Sequence, residues 1–179
     1  MMDREKLEAQ LTQLPLLGYF WIKPEELEFT DRVRQVCRQE CPMYGKTWAC
    51  PPAVGTVAQC AARCGGFSDC LVIATAAEVE DVADLEETLA TRLPHEHITD
   101  QVRDLMKEQG SNPYVLSTEA CAICGRCAWL DGEPCRHPER MHPCVESHGI
   151  NLIPVLEENG LEFQFGSNVI TWVSLLLCE

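Results

Sequence analysis

Long apolar runs are missing from this chain. A membrane-spanning helix needs ~20 consecutive apolar residues, whereas the longest run near the end, Val173 to Cys178, is only strand-sized. The opening MMDREKLEAQ carries no apolar core of the kind that directs export. The expectation is a cytoplasmic protein with no membrane contact. Basic charge is also scarce, at 14 Lys and Arg against 28 Asp and Glu, for a net charge of -14. Nucleic acids are held by basic surfaces that displace counterions, so they are excluded as expected partners. The common catalytic signatures G-x-S-x-G, H-E-x-x-H and G-x-G-x-x-G are absent. Gly45-Lys46-Thr47 resembles the end of a phosphate loop, but Glu40 stands where that loop needs glycine. Any chemistry must come from another source.

What the chain does have is cysteine, twelve in all. In a small secreted protein that number would suggest disulfide staples. Here most of them fall in two tight groups without an export signal, which points to metal. The 179 residues suffice to bury a core unaided, and a single metal-binding domain is expected over 1–179, with cysteine groups at 37–64 and 121–144. Arg34, Arg38, Lys46, Arg63, Arg126, Arg136 and Arg140 each lie within a few positions of a cysteine, as solvated loop charge or as cations offsetting thiolates.

The periodicities predict an α+β fold: a small mixed sheet of four to five strands backed by helices, with two cysteine-rich excursions. Leu7, Leu11 and Leu14 mark a first helix ended by Pro15. GYFWI begins a strand, and DRVRQVCRQ is a helix carrying Cys37. Thr56 and Gln59 form a capping box that opens a helix placing Cys60 and Cys64 on one face. DCLVIATA reads as a buried strand. Two amphipathic helices follow, with stripes of Val82, Leu85, Leu89, Leu93 and of Ile98, Val102, Leu105, Met106. PYVLS is a strand leading into the second cysteine group. HPCVESHGI is a short helix from Pro143 to Gly149, NLIPVL an extended edge segment, and LEFQF-GSN-VITWV a closing hairpin.

Cys121, Cys124 and Cys127 form C-x2-C-x2-C, with Cys135 eight positions on. Three cysteines at this spacing let one tight loop point three thiolates at the corners of a cubane, whereas structural zinc prefers two separated C-x2-C pairs. A 4Fe-4S cluster is the first expectation here, zinc the second, and redox-active or merely packed thiols the third. In the first group Cys37, Cys41 and Cys50 need a fourth ligand. Cys60 is the expected one, with Cys64 as alternate, while Cys70 and Cys178 read as core thiols. Tyr44 and Trp48 either screen a cluster or pack against the sheet. His95 and His97 are expected to face solvent, and His142 is the one histidine worth testing as a ligand.

The order C-x3-C-P-x-Y-G-x2-W-x-C-P-P, then C-x2-C-x2-C, C-R-x-P and E-x-x-G-I, resembles the predicted metal-binding proteins grouped as domain of unknown function 2284. The resemblance runs from Tyr19 to the end of the chain. It rests on Cys37, Cys41, Tyr44, Gly45, Cys50, Pro51 and Pro52, and on Cys121, Cys124, Cys127, Cys135, Arg136 and Pro138. It implies metal binding through cysteine and no particular reaction. Cys144 stands where the family pattern has serine, which leaves it an alternate ligand, in place of Cys135 or at an open iron. Three functions are therefore carried forward: an iron-sulfur protein with two 4Fe-4S clusters that exchanges electrons with a redox partner protein through its acidic surface; a structural zinc protein; and an enzyme using an open-coordinated cluster iron as Lewis acid.

Overall fold

A computed structural model describes residues 2–161 and 168–179. Helix α1 (Arg4–Leu11) starts at Asp3, whose carboxylate accepts from the Lys6 N–H. Strand β1 (Gly18–Ile22) and the short β2 (Glu28–Phe29) precede α2 (Asp31–Glu40), capped by Thr30. Helix α3 (Val57–Cys64) begins with the expected reciprocal Thr56–Gln59 box. Then come β3 (Asp69–Glu78), α4 (Leu85–Ala90), α5 (Arg92–Glu108) and β4 (Tyr114–Leu116). After the second cysteine group, β5 (Ile150–Asn151), α6 (Ile153–Glu158) and β6 (Val169–Cys178) complete the fold.

β3 and β6 pair antiparallel over ten residues, from Asp69 opposite Cys178 to Glu78 opposite Val169. β1 joins the free edge of β3 and β4 that of β6, giving the order β1-β3-β6-β4 with each pairing antiparallel. β2 and β5 form a separate pair. Successive strand residues face opposite sides, and both faces are covered. Leu71, Ile73 and Leu176 pack with Leu7, Leu11, Val102 and Met106 from α1 and α5. Cys70, Val72, Leu175 and Leu177 pack with Cys64, Val155 and Leu156 from α3 and α6. The fold is α+β, as the periodicity implies. Among the described residues no helix is long and apolar enough to cross a membrane.

Three local expectations are corrected. The segment from Val79 does not enter a helix until Leu85, because acidic side chains take its backbone donors: Glu87 accepts from the N–H groups of Glu80 and Asp81, and Asp81 from that of Ala83, before Asp84 caps the helix by accepting from Glu86 and Glu87. Its stripe is left outside, with Leu85 and Leu93 68% and 69% exposed. NLIPVL is not an edge strand; Pro154 sits in the first turn of α6, where its missing N–H costs nothing. His95 is buried rather than solvent-facing, because α5 places it on the same face as Ile98, Thr99 and Val102. Of the closing hairpin, residues 162–167 lie outside the described residues, and β6 is its second strand.

His95 organises a polar network inside the apolar core. Its two ring nitrogens share hydrogen bonds with Thr75 Oγ1 at 2.8 Å and Ser174 Oγ at 2.7 Å. Ser174 also meets the hydroxyls of Thr99 and Ser117, each at 3.0 Å. Ser117 in turn donates to Glu96, which also accepts from Thr118 Oγ1. A single buried residue of β6 thereby ties α5 to the segment that enters the second cysteine group.

Burial pushes the His95 pKa down to about 4 from its ordinary 6.5. The unfolded chain therefore binds more protons between those values, so this histidine's contribution is complete above pH 6.5, drains as pH falls, and is gone below about 4. The gap corresponds to about 3 kcal/mol. Urea unfolding at a series of pH values should show the loss, and His95→Gln should flatten the slope across that window relative to the parent; equal slopes would contradict it.

Candidate metal centre

The first cysteine group is assembled by a helix, a loop and a distant turn. α2 presents Cys37 in its last turns and Cys41 at its C-terminal cap; Cys50 follows in the loop, before a cis Pro51–Pro52 bond. The turn at 146–148 is brought up from the far part of the chain by Gly149, at φ +75°. A Cβ there would lie 2.9 Å from Val57 Cγ2 and 3.0 Å from the Thr30 carbonyl oxygen. Only glycine suits both the backbone angle and the space. The Thr30 N–H donates to the Gly149 carbonyl at 2.7 Å, and the Cys37 thiol to that of Glu146 at 3.7 Å. The result is a cavity of about 360 Å³ walled by Cys37, Cys41, Cys50 and Cys144, with Tyr44 and Glu119 beside them.

Cys60, expected as the fourth ligand, does not line this cavity. It is fully buried, its thiol 3.5 Å from the Val54 carbonyl that accepts from it and 4.0 Å from Arg34 Nη1. Cys64 belongs to the core beside Cys70. Cys144, held as an alternate, occupies the fourth wall; its sulfur accepts the Ser147 N–H at 3.3 Å. Burial pushes the Cys37 thiol up to about 11, with the carboxylate of Glu146 adding to it and Arg34 opposing. Cys144 is raised well above the ordinary range by burial and then Glu146.

In the second group, Cys121, Cys124, Cys127 and Cys135 line one small cavity of about 20 Å³. Burial raises the Cys121 thiol, and the neighbouring Cys135, Cys127 and Cys124 raise it further, though the Ile123 backbone offsets part of this. The chain reaches Cys121 through Glu119, which adopts φ +54°, a left-handed conformation that strains a residue with a Cβ. Arg126 pairs with Asp131 at 2.7 Å, and Arg136 donates to the Arg126 carbonyl. His142 is 3.1 Å from Asp100 and 3.2 Å from Arg103, and it lines neither cysteine cavity.

The two groups are neighbours. Cys50 is close enough to Cys121 and Cys127 for their charges to raise its pKa, after burial, the largest cause. The loops also lock reciprocally: Trp48 Nε1 donates to the Glu133 carbonyl at 3.0 Å, and Trp129 Nε1 to that of Gly45 at 2.9 Å. The rings meet edge to face, centroids 4.8 Å apart at 73°. Trp48, a residue of the first motif, is thus a wall of the second cavity. Neither Trp129 nor Glu119 carried a spacing signal that would have marked it in advance.

Among the described residues, no three Cys, His, Asp or Glu side chains converge tightly enough to hold one ion. The thiols instead surround spaces, and four cysteines line each of them. Thr47 adds a second indication that the first set suits a metal. The residue is 97% shielded, and among the described residues its hydroxyl has no hydrogen-bond partner of ordinary geometry; the contact it does make is a loose one toward the Cys50 thiol, where it opposes the upward push of burial. A neutral thiol accepts poorly, whereas a metal-bound thiolate or sulfide would take that O–H. Loading either set displaces thiol protons, so affinity must fall as pH is lowered.

A family profile described as Predicted metal-binding protein (DUF2284) matches residues 20–178. The chain belongs to that family. No curated protein and no solved structure matches it.

Thr47→Val should act with opposite signs on the two forms. Removing an unpartnered buried hydroxyl should stabilise the metal-free protein by about 1–3 kcal/mol, while weakening metal binding. Melting of chelated and loaded protein measures both, and an equal shift of one sign in both would dispose of the donor role. A cycle of Trp48→Leu and Trp129→Leu should give a coupling energy of about 1 kcal/mol; strictly additive losses would show that the loops are held independently.

Proposed function

We propose that this member of the predicted metal-binding family holds two 4Fe-4S clusters and uses them in electron transfer or cluster-based redox chemistry. The observation that carries the reading is the pair of adjacent cavities, each walled by four cysteines. Cys37, Cys41, Cys50 and Cys144 would hold the first cluster, and Cys121, Cys124, Cys127 and Cys135 the second. Such clusters, when bound, accept and release single electrons at potentials set by charge, hydrogen bonding and exposure.

The chain's own residues would tune them. Arg34 lies beside Cys37 and opposes the rise in its pKa, so it favours the thiolate. Thr47 would donate to the Cys50 sulfur. Trp48 covers one wall of the second cavity, Trp48 and Trp129 hold the loops together, and Tyr44 covers one wall of the first cavity. The excess of acidic side chains suits docking to a basic redox partner protein, with association that weakens as salt rises.

One observation favours a second reading for part of the site. The second cavity, at about 20 Å³, is far smaller than the first at about 360 Å³, so thiols drawn together around a single ion would need less room there than a cluster. Zinc bound by Cys121, Cys124, Cys127 and Cys135 is therefore the alternative there.

Metal and acid-labile sulfide analysis of oxygen-free protein separates the two. Two clusters should give equal iron and sulfide, a broad visible absorption bleached by dithionite, and no zinc; zinc in place of half the iron would support the second reading. Cys144→Ser should lower the iron of the first set while Cys60→Ser leaves it unchanged, and the reverse result would return the fourth position to Cys60.

A further inference from the structure

In a chain with 14 basic side chains against 28 acidic ones, their placement is informative. Three of them, Arg63, Arg103 and Lys107, line one open cleft of about 460 Å³, whose walls include a single carboxylate among the described residues, that of Glu139. The three cations are not equally committed. Arg103 is bound by Asp100 and by Asp104 at 2.9 Å, so its charge is matched. Lys107 lies near Asp104 but forms no ion pair among the described residues.

Arg63 is the more telling of the remaining two. Its Nη1 donates to the Val54 carbonyl at 3.3 Å and to the Tyr114 hydroxyl at 3.4 Å, both neutral acceptors. Bonds between a guanidinium and an oxyanion are shorter, about 2.7–2.9 Å, and often two-pronged. Among the described residues Arg63 thus has a charge without a carboxylate, and it has N–H donors to spare. The volume lies in the usual range of about 300–1,000 Å³ for small-molecule pockets. Trp48, Tyr114 and Pro113 supply flat apolar surface beside the cations.

We propose that this cleft binds a small organic anion, a carboxylate on a flat apolar body, with Arg63 and Lys107 holding the carboxylate. The assignment is independent of which metal the cysteines hold. Its relation to the metal centre rests on the preceding proposal: Trp48 and Met141 are walls of both the cleft and the second cysteine cavity, so an occupant would sit one side chain from that centre.

The test is titration of the full chain, purified without oxygen, with benzoate, with its neutral isostere benzamide, and with inorganic phosphate, followed by calorimetry and by the fluorescence of the tryptophans. Metal content is measured in parallel, so that a failure of the metal reading is seen separately. Benzoate should bind at least about tenfold more tightly than either of the others, because charge-assisted bonds are worth more than neutral ones. Arg63→Gln and Lys107→Gln should each weaken benzoate by about tenfold. Lys23→Gln, which removes the same charge from a site outside the cleft, should leave it unchanged. Lys107 is exposed and its side chain holds no hydrogen bond or ion pair among the described residues, so its variant tests the site even if the Arg63 variant folds poorly. Equal binding of benzamide, equal binding of phosphate, or equal weakening by Lys23→Gln would each overturn the assignment, as would absence of benzoate binding.

Discussion

Everything in this molecule is referred to the ten-residue pairing of β3 with β6. Those two strands occupy the middle of the sheet, and their alternating side chains supply the centre of both apolar layers. Ser174, the one polar residue buried on the inward run of β6, holds His95 and through Ser117 reaches the end of β4. Ser117 then bridges to Cys144, with its N–H donating to the Pro143 carbonyl at 2.8 Å and its carbonyl accepting from Val145 at 3.2 Å. Two residues beyond Ser117, Glu119 turns the chain toward Cys121. The central ladder therefore locates one cysteine of the first set and the entry to the second. A shift of β6 by one residue would reverse its faces, placing Ser174 against apolar neighbours and removing the anchor of both.

The thiols show what burial and crowding do to closely grouped sulfur. Cys37, Cys50, Cys121 and Cys144 all have raised pKa values, and burial is the first cause in each case. Repulsion from neighbouring cysteines contributes to all four, so thiolates cannot accumulate here without a positive centre to gather them. Cys50 feels the charges of Cys121 and Cys127 across the boundary between the sets. The two sets are consequently one electrostatic system, and charge placed on one is sensed by the other.

How much of this could be read in advance depends on the range of the interactions involved. The second cysteine set was legible because its spacing is local: three residues at intervals of three, and a fourth eight away, need only one loop to meet. The capping box at Thr56 and the buried strand at Cys70 were legible for the same reason. The fourth wall of the first cavity was not. Cys60 lies ten positions from Cys50 and Cys144 ninety-four, so proximity along the chain favoured Cys60; what brings Cys144 in is the crowded turn at Gly149 against α2 and α3. His95 looked like a surface residue from its place at a helix start beside His97, yet its position relative to Ile98 and Val102 put it inside. The stripe of Val82, Leu85, Leu89 and Leu93 has helical spacing, but carboxylates at Asp81 and Glu87 bind the backbone ahead of Asp84 and delay the helix.

The crossed indoles of Trp48 and Trp129 have an optical consequence. Two identical chromophores held 4.8 Å apart with their planes at 73° share their excited states, and a fixed asymmetric arrangement of that kind absorbs left- and right-circularly polarised light unequally. The chain therefore carries a built-in gauge of its own loop contact, legible by ellipticity without a label and silent once the rings drift apart.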